Sequence, residues 1–395
     1  MDIQKTAVVG AGAMGSGIAT ALALAGVPVL LKDVNLEAAE QGFARIAKTI
    51  HGRVKKGQLS PEKAEQVLDR ITVVEDFTWF GKLDLVIEAV AEDIELKHAL
   101  FRTLDEVCPE HTILATNTSS LSITWIASAT KRASQVVGLH FFNPAHVMRL
   151  VEVVRGLDTS AETVAAVEHL CQRMGKLAVE VQECASFLVN RLLGRYATEA
   201  LYILQDTLIS PDALDEAAVA LCMPMGPIAL RDFTGIDIGH HVAKFNHREY
   251  GPRFEPAPLL EAMYQRGWLG QKTGQGFYTY DAQTRAKLGL NPGMQELLTV
   301  PTDERLPFDV RRLFLPMINE AFLVIQEHVA RATEIDPALM AGLGMRKGPL
   351  RLAEEIGLAE CLRLMEAHFE QHGERFRPAP LLKRLVWGKR TLVVG

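Results

Sequence analysis

Short apolar runs alternate with longer amphipathic stretches through the first half of the chain. Ala7–Val9, Val29–Leu31, Ile71–Val74, Leu85–Ala89, Thr112–Ala115, Val136–Phe141 and Leu150–Val154 are short and rich in Val, Leu and Ile. Strands buried on both faces read this way, as continuous apolar runs without alternation. Between them, Leu36–Lys56, Ile94–Val107 and Ala161–Met174 carry apolar residues at helical spacing. Strand and helix in turn predict a mainly parallel sheet with helices on both faces. Ligands of such sheets lie beyond the carboxyl ends of the strands. After about Glu183 the pattern predicts helices alone, and there the chain repeats itself. Met223-Pro-Met-Gly-Pro-Ile-Ala-Leu-Arg-Asp matches Met345-Arg-Lys-Gly-Pro-Leu-Arg-Leu-Ala-Glu, 122 residues later. At the same offset, Arg253-Phe-Glu-Pro-Ala-Pro-Leu-Leu matches Arg375-Phe-Arg-Pro-Ala-Pro-Leu-Leu, and Glu199-Ala200 matches Glu320-Ala321 with one residue of slippage. The tail is therefore a duplicated helical module, joined by a Pro-containing stretch around Asn291–Pro307.

The first apolar run leads directly into Gly10-Ala-Gly-Ala-Met-Gly15, a small-residue helix follows, and the second run ends on Asp33. Gly10 permits a tight strand-to-helix turn, Gly12 lets a pyrophosphate approach the backbone, and Gly15 lets helix and sheet pack closely. The helix N-terminus adds unpaired N–H groups and the positive end of a dipole. Asp33 stands 18 residues past Gly15, near the ~20 expected of a carboxylate that accepts from ribose hydroxyls. An acid there repels a 2′-phosphate, which favours NAD over NADP. Three domains are expected: an α/β Rossmann-like NAD-binding domain over residues 1–184, and two all-α domains made by internal duplication, residues 185–295 and 296–395.

Composition changes the picture mainly by exclusion. Thr6–Leu31 contains no charged residue and is long enough to span a bilayer. Its glycines and Pro28 argue against that, because a Gly-rich turn leaves backbone groups unsatisfied in lipid. Net charge is −6, from 42 basic and 48 acidic residues, which excludes generic nucleic-acid binding. Cys108, Cys171, Cys184, Cys222 and Cys361 include no C-x-x-C pair. They are expected to be reduced core thiols of a cytoplasmic protein with no metal site. No signal peptide is expected, and Leu392-Val-Val-Gly is not a peroxisomal address. Lys48, Arg53, Lys55 and Lys56 close the long first crossover helix. They suit either a solvated helix face or a grip on an acidic ligand tail.

Two further stretches carry chemistry, Ala115-Thr-Asn-Thr-Ser-Ser-Leu at a strand end and Gly138-Leu-His-Phe-Phe-Asn-Pro, followed by Leu150-Val-Glu-Val-Val. Neighbouring strands could bring His140 and Glu152 within hydrogen-bond reach. A histidine oriented by a buried carboxylate has the tautomer needed to take a hydroxyl proton, and nicotinamide at the same strand ends would complete an alcohol dehydrogenase. From the residues alone, His140 is equally a base or a structural histidine. The other histidines, including His240-His241, are expected to be structural.

Taken in order, Gly10-Ala-Gly-Ala-Met-Gly, Glu88-Ala-Val-Ala-Glu92 with Lys97, Asn117-Thr-Ser-Ser, His140-Phe-Phe-Asn-Pro, Phe187-Leu-Val-Asn-Arg, Met225-Gly-Pro and Lys272-Thr-Gly-Gln-Gly-Phe resemble the L-3-hydroxyacyl-CoA dehydrogenase family over nearly the whole chain. The doubled helical module resembles the dehydrogenase portion of multifunctional fatty-acid oxidation proteins. By this resemblance His140 is the base that removes the 3-hydroxyl proton, with Glu152 as its partner. Ser119 and Asn190 would hydrogen-bond the substrate's oxygens. Gly10, Gly12, Met14, Gly15 and Asp33 would line adenosine and pyrophosphate. Val90, Ala91, Glu92, Lys97, Ser119 and Asn143 would hold the nicotinamide side, with Lys272 as a further cofactor contact. The implied reaction is NAD-dependent oxidation of (S)-3-hydroxyacyl-CoA to 3-oxoacyl-CoA, in fatty-acid β-oxidation or related acyl-CoA metabolism.

Two departures from the family pattern stand out. Ala185-Ser186 replace its Pro-Gly before Phe187, with Ser186 a candidate N-cap for the helix carrying Asn190. In the second module the position of Asn190 falls at Arg311 or Arg312, and the Lys272 segment has no full counterpart. The second copy, Pro307–Arg390, is therefore expected to be structural, a built-in stand-in for a dimer partner. The chain would then be a monomer with an internal pseudo-dimer and one active site, without membrane insertion, and with a separate hydratase or thiolase as an allowed partner. Two other readings remain: a 3-hydroxy-acid dehydrogenase that does not require CoA, and a non-catalytic NAD-binding relative.

Overall fold

A computed structural model describes residues 2–298 and 308–392; 299–307 of the linker and the last three residues of the chain lie outside the described residues. Two compact units result, one ending at Phe187 and one beginning at Leu188.

The first unit is built on eight strands: β1 (Thr6–Val9), β2 (Val29–Lys32), β3 (Ile71–Val73), β4 (Leu85–Glu88), β5 (Ile113–Thr116), β6 (Val136–Phe141), β7 (Leu150–Arg155) and β8 (Leu177–Gln182). Their order is β3-β2-β1-β4-β5-β6-β7-β8. All seven expected runs form strands, with ends shifted by at most one residue. Pairing is parallel from β3 to β6, but β7 runs antiparallel to β6 and parallel to β8. β8 was not predicted. It alternates half-buried and buried positions at the edge of the sheet, so it lacks the continuous apolar run that marks the central strands. On either side of β1 the chain leaves in opposite directions, towards β2 and towards β4, which opens a crevice at the carboxyl ends.

Six helices accompany this sheet: α1 (Ala13–Leu24), α2 (Leu36–Lys55), α3 (Pro61–Leu68), α4 (Ile94–Val107), α5 (Ile123–Ala127) and α6 (Ala161–Arg173). Local chemistry starts most of them. Asn35, Ser60, Asp93, Ser122 and Ser160 each accept from a backbone N–H of the first turn, satisfying a donor that the helix cannot. α1 is the exception. Its N-cap is Gly12, with no side-chain bond and no acid in the first turn, which leaves that helix end to a ligand.

The second unit contains α7 (Val189–Asp206), α8 (Pro211–Leu221), α9 (Pro227–Thr234), α10 (Ile236–Tyr250), α11 (Pro258–Gln265) and the single turn α12 (Met294–Leu297). The second copy supplies α13 (Val310–Gln326), α14 (Ala332–Leu343), α15 (Pro349–Ile356), α16 (Leu358–His372) and α17 (Pro380–Trp387). The repeat is physical as well as textual. Asp215 accepts from the N–H groups of Ile228 and Ala229 at the start of α9, and Asp336 does the same for Leu350 and Arg351 at the start of α15. At both places the preceding glycine is obligatory, since a Cβ on Gly226 or Gly348 would lie 2.2 Å from that aspartate.

The region is helical as expected, with one addition. A hairpin of β9 (Tyr278–Tyr280) and β10 (Lys287–Leu290) belongs to the first copy. Tyr278 donates to Asp215 and Tyr280 to Asp232, both at 2.9 Å, so the strand is held by two buried carboxylates. Three residues are too few for a period to show in sequence.

α7 and α13 pack against each other through reciprocal ion pairs. Arg191 Nη2 lies 2.7 Å from Glu320 Oε1, and Arg312 Nη2 lies 2.7 Å from Glu199 Oε1. Arg253 and Arg375 join the same two carboxylates at 3.1 and 3.3 Å. Each contact has its mirror in the other copy, as across a twofold axis. The mirror breaks at Arg195. Arg195 donates to the carbonyls of both Arg253 and Arg375, and the residue 121 positions later is Pro316, inside α13. A true twofold would force two guanidinium groups onto one axis; here one serves both copies. Burial pushes it down to about 10.

Candidate active site

The glycine turn between β1 and α1 is shaped by contact. Gly10 has φ +97°, and a Cβ there would fall 2.5 Å from the Ala89 carbonyl oxygen. A Cβ on Gly15 would sit 1.7 Å from the Gly10 oxygen, whereas around Gly12 there is open space. That open side, at an uncapped helix N-terminus, fits a pyrophosphate. Met14 is half-buried on the first turn of α1. Asp33 follows β2, and its carboxylate accepts from the N–H groups of Ala11 at 2.5 Å and Val34 at 2.6 Å. The acid therefore sits across the turn, where a ribose would lie.

At the ends of β4 and β5 a charge cluster forms. Glu92 Oε1 accepts from the Thr118 hydroxyl at 2.6 Å and from the N–H groups of Ser119 and Ser120 at 2.9 and 3.2 Å. Burial alone would raise the Glu92 carboxyl, but Thr118, the Lys97 charge, and the Ser119 and Ser120 donors outweigh it and hold it below the usual range. Lys97, on the first turn of α4, is 1% exposed and lies 2.6 and 2.8 Å from the two oxygens of Glu88. Val90 is half-buried and Ala91 exposed between them.

His140 lies next to the carboxyl end of β6, directly opposite Glu152 in the antiparallel register with β7. Nδ1 donates to Glu152 Oε2 at 2.5 Å, and the carboxylate is fully buried. Phe142 and Phe187 flank the imidazole at 4.6 and 5.7 Å. With Nδ1 committed, Nε2 is the nitrogen left to accept a proton. Asn143 follows the strand, exposed.

Two expected site residues belong to the second unit. Asn190 is the second residue of α7, half-buried, and Lys272 forms an ion pair with Asp237 at 2.5 Å on a 3-10 turn. The expected N-cap role of Ser186 is not realised. Ser186 and Phe187 take φ of +60° and +51°, and α7 begins at Val189 with Leu188 as its N-cap. Ser186 thus fills the left-handed position that glycine adopts without strain. The reciprocal pairs of Arg191 and Arg312 also decide the register of the repeat. Asn190 corresponds to Arg311, whose guanidinium is held by Asp309 and Glu360.

Sequence reasoning gave no role to Glu88, Thr116 and Asn117, which brace the strand ends at the site. Asn117 Oδ1 accepts from the Phe141 N–H at 2.9 Å and so ties the end of β5 to that of β6. The signal available was that all three sit at strand ends. Elsewhere in this unit, Lys48, Arg53 and Lys56 line a cleft of about 560 Å³ with His146 and Val147, while Lys55 is not among its lining residues. Burial, then Arg53 and Lys176, hold His146 below its usual range.

The sequence profile of the 3-hydroxyacyl-CoA dehydrogenase NAD binding domain matches residues 5–184, and that of the 3-hydroxyacyl-CoA dehydrogenase C-terminal domain matches 187–280 and 308–391. The chain belongs to the 3-hydroxyacyl-CoA dehydrogenase family. A probable 3-hydroxybutyryl-CoA dehydrogenase of Bacillus subtilis (strain 168) is 44% identical over 286 residues, 72% of this chain and all of that one. A fatty acid oxidation complex subunit alpha of Shewanella amazonensis (strain ATCC BAA-1098 / SB2B) is 34% identical over 98% of this chain, which spans only 56% of that relative. Among solved structures, a 3-hydroxybutyryl-CoA dehydrogenase from Escherichia coli K12 is 32% identical, with a TM-score of 0.89 over 98% of this chain and 99% of that one. A family member of this kind uses NAD, and the open glycine turn and Asp33 fit it. Among the described residues no helix is long and apolar enough to cross a membrane, and no cluster could hold a metal ion.

Proposed function

We propose that this family member oxidises (S)-3-hydroxyacyl-CoA to 3-oxoacyl-CoA with NAD, as part of fatty-acid β-oxidation or related acyl-CoA metabolism. The observation that carries the reading is His140 Nδ1 on the buried Glu152 carboxylate at the ligand end of a dinucleotide-binding sheet. Glu152 fixes the tautomer, His140 Nε2 takes the 3-hydroxyl proton, and the imidazolium so formed is stabilised by the same carboxylate. NAD, when bound, supplies the hydride acceptor. The Ser119 hydroxyl and the Asn190 amide orient the substrate's oxygens, a role the family resemblance supports for both. Glu92 and Lys97, with Val90, Ala91, Asn143 and Lys272, are our assignment for the nicotinamide side. The thiols of Cys108, Cys171, Cys222 and Cys361, which form no disulfide, fit a reducing compartment, and we place the enzyme in the cytoplasm as a monomer, with a separate hydratase or thiolase as an allowed partner.

The basic cleft favours a CoA thioester over a free acid. Lys48, Arg53 and Lys56 offer a nucleotide's phosphates a cationic wall. Reversing all three to Glu is expected to raise KM for acyl-CoA by about tenfold or more, since a few exposed ion contacts contribute up to ~1 kcal/mol each. An acyl-N-acetylcysteamine thioester, which lacks the nucleotide, should keep its KM. Turnover compared across acyl-CoA thioesters and the matching free acids tests the substrate class itself. Free acids turned over as well as thioesters would overturn the reading.

Cofactor choice rests on Asp33. The wild type is expected to prefer NAD strongly, because the carboxylate repels a 2′-phosphate. Asp33→Asn should lose about ten- to a hundredfold in NAD affinity, the equivalent of one charge-assisted hydrogen bond of about 1.5–3 kcal/mol. Equal catalytic efficiency with NAD and NADP in the wild type would count against this assignment.

A further inference from the structure

A buried carboxylate at the end of β4 organises the cofactor side of the site without being part of it. Glu88 is fully buried between Val9 of β1 and Thr116 of β5. Its Oε1 accepts from Lys97 Nζ at 2.6 Å and from the Val90 N–H at 2.7 Å. Its Oε2 accepts from Lys97 Nζ at 2.8 Å and from the Thr116 hydroxyl at 2.6 Å. Every donor it takes comes from a segment that leads to the ligand end. Val90 opens the loop that passes over Gly10, and Lys97 anchors the first turn of α4. From Lys97 the network continues: its ammonium lies 3.6 Å from Glu92 Oε2, and Glu92 Oε1 gathers the 118–120 turn. With 1% exposure, the Lys97 side chain has its charge among carboxylates and little surface to offer a ligand.

We propose that Glu88 is a positioning residue, which through Lys97 and the Val90 N–H holds Glu92 and the Ser119 turn in the geometry that the nicotinamide side needs. Lys97 then acts on the cofactor through Glu92. This rests on the dehydrogenase reading above. A buried ammonium requires a partner, and a lone Glu92, 37% exposed, would be a weak and screened one. Glu88 therefore fixes the lysine, and the lysine, being fixed, presents a constant charge to Glu92. Misplacement by about 1 Å at a reacting centre can cost ~10²-fold in rate.

The test uses the full chain. Glu88→Gln alone leaves Lys97 underpartnered, so it is read beside the double variant Glu88→Gln/Lys97→Met, in which the buried pair is gone; such replacements are often neutral in stability. The double variant is expected to melt close to wild type and to bind ADP-ribose normally, because Gly10–Gly15 and Asp33 are untouched. It should still lose about tenfold in NAD affinity and about a hundredfold in kcat. Thr116→Val, nearly isosteric and uncharged, removes one hydrogen bond to Glu88 and should lower kcat several-fold with little change in melting. Wild-type NAD affinity and kcat in the double variant would overturn the proposal, as they would show the cluster to be structural only. If the double variant does not fold, an unchanged kcat in Thr116→Val overturns it. The NAD and ADP-ribose titrations need no turnover, so they stay informative even if acyl-CoA thioesters are not the substrates.

Discussion

His140→Gln is expected to lose about 10²–10⁴-fold in kcat while still binding NAD, because general-base catalysis contributes that much and the dinucleotide contacts at Gly10–Gly15 and Asp33 are elsewhere in the sheet. Glu152→Gln should fall in the same range. Its carboxamide can present an N–H instead of an oxygen to Nδ1, and that orientation stabilises the tautomer in which Nε2 carries the proton and cannot accept one. The 2.5 Å separation and full burial of Glu152 leave the imidazole little freedom to escape the change. Steady-state kinetics with acyl-CoA, paired with NAD titration, separate the loss of chemistry from the loss of binding. Rates near wild type in both variants would remove the pair from the mechanism.

Ending the chain after Asn291 is expected to give a truncation that aggregates or dimerises. The truncation removes α13 and with it Glu320, leaving Arg191 and Arg253 without their carboxylate and uncovering the apolar side of α7. Breaking a buried pair by deleting one partner costs about 3–5 kcal/mol, comparable with a domain's whole stability of ~5–15 kcal/mol. Two outcomes fit: aggregation, or a dimer of truncated chains in which Arg191 of each meets Glu199 of the other, as Arg312 meets Glu199 in the intact protein. Such a dimer would bring two Arg195 side chains to the axis where the intact chain has Arg195 and Pro316, so it should be weaker than an evolved one. Light scattering of the intact and truncated proteins decides. A soluble, active, monomeric truncation would contradict the pseudo-dimer, as would an intact chain that is not a monomer.

Several features of the site were legible because they are local. The glycine turn needs Gly10, Gly12 and Gly15 at fixed spacing, and the strand that ends before Asp33 is a continuous apolar run; neither depends on distant chain. The duplication was legible because Gly226-Pro227 and Gly348-Pro349 do the same local job, starting a helix whose first-turn N–H groups bond an aspartate 13 to 15 residues earlier. His140 and Glu152 were half legible. Their spacing allowed a meeting, but only the antiparallel turn-back of β7 set them opposite one another. The antiparallel strand itself broke the mainly parallel pattern without any sign in its composition.

By itself, then, the sequence determined which central segments become strands, that a glycine turn joins the first of them to a helix, and that the helical tail is built twice, since propensity, caps and glycine conformations act over a few residues. Tertiary structure alone decided what becomes of buried charge. Glu88 looks like any strand-terminal acid until β1 and β5 close over it and Lys97 and Thr116, 28 residues away, become its partners. Arg191, Arg195 and Glu199 look like an ordinary helix face until α13 brings Glu320 and Arg312 to them. Pro316 looks like a helix breaker until it proves to stand, 121 residues on, at the position that Arg195 takes in the first copy. A buried charge is tolerated only with its partners in place, and those partners come from segments that meet only when the chain has folded.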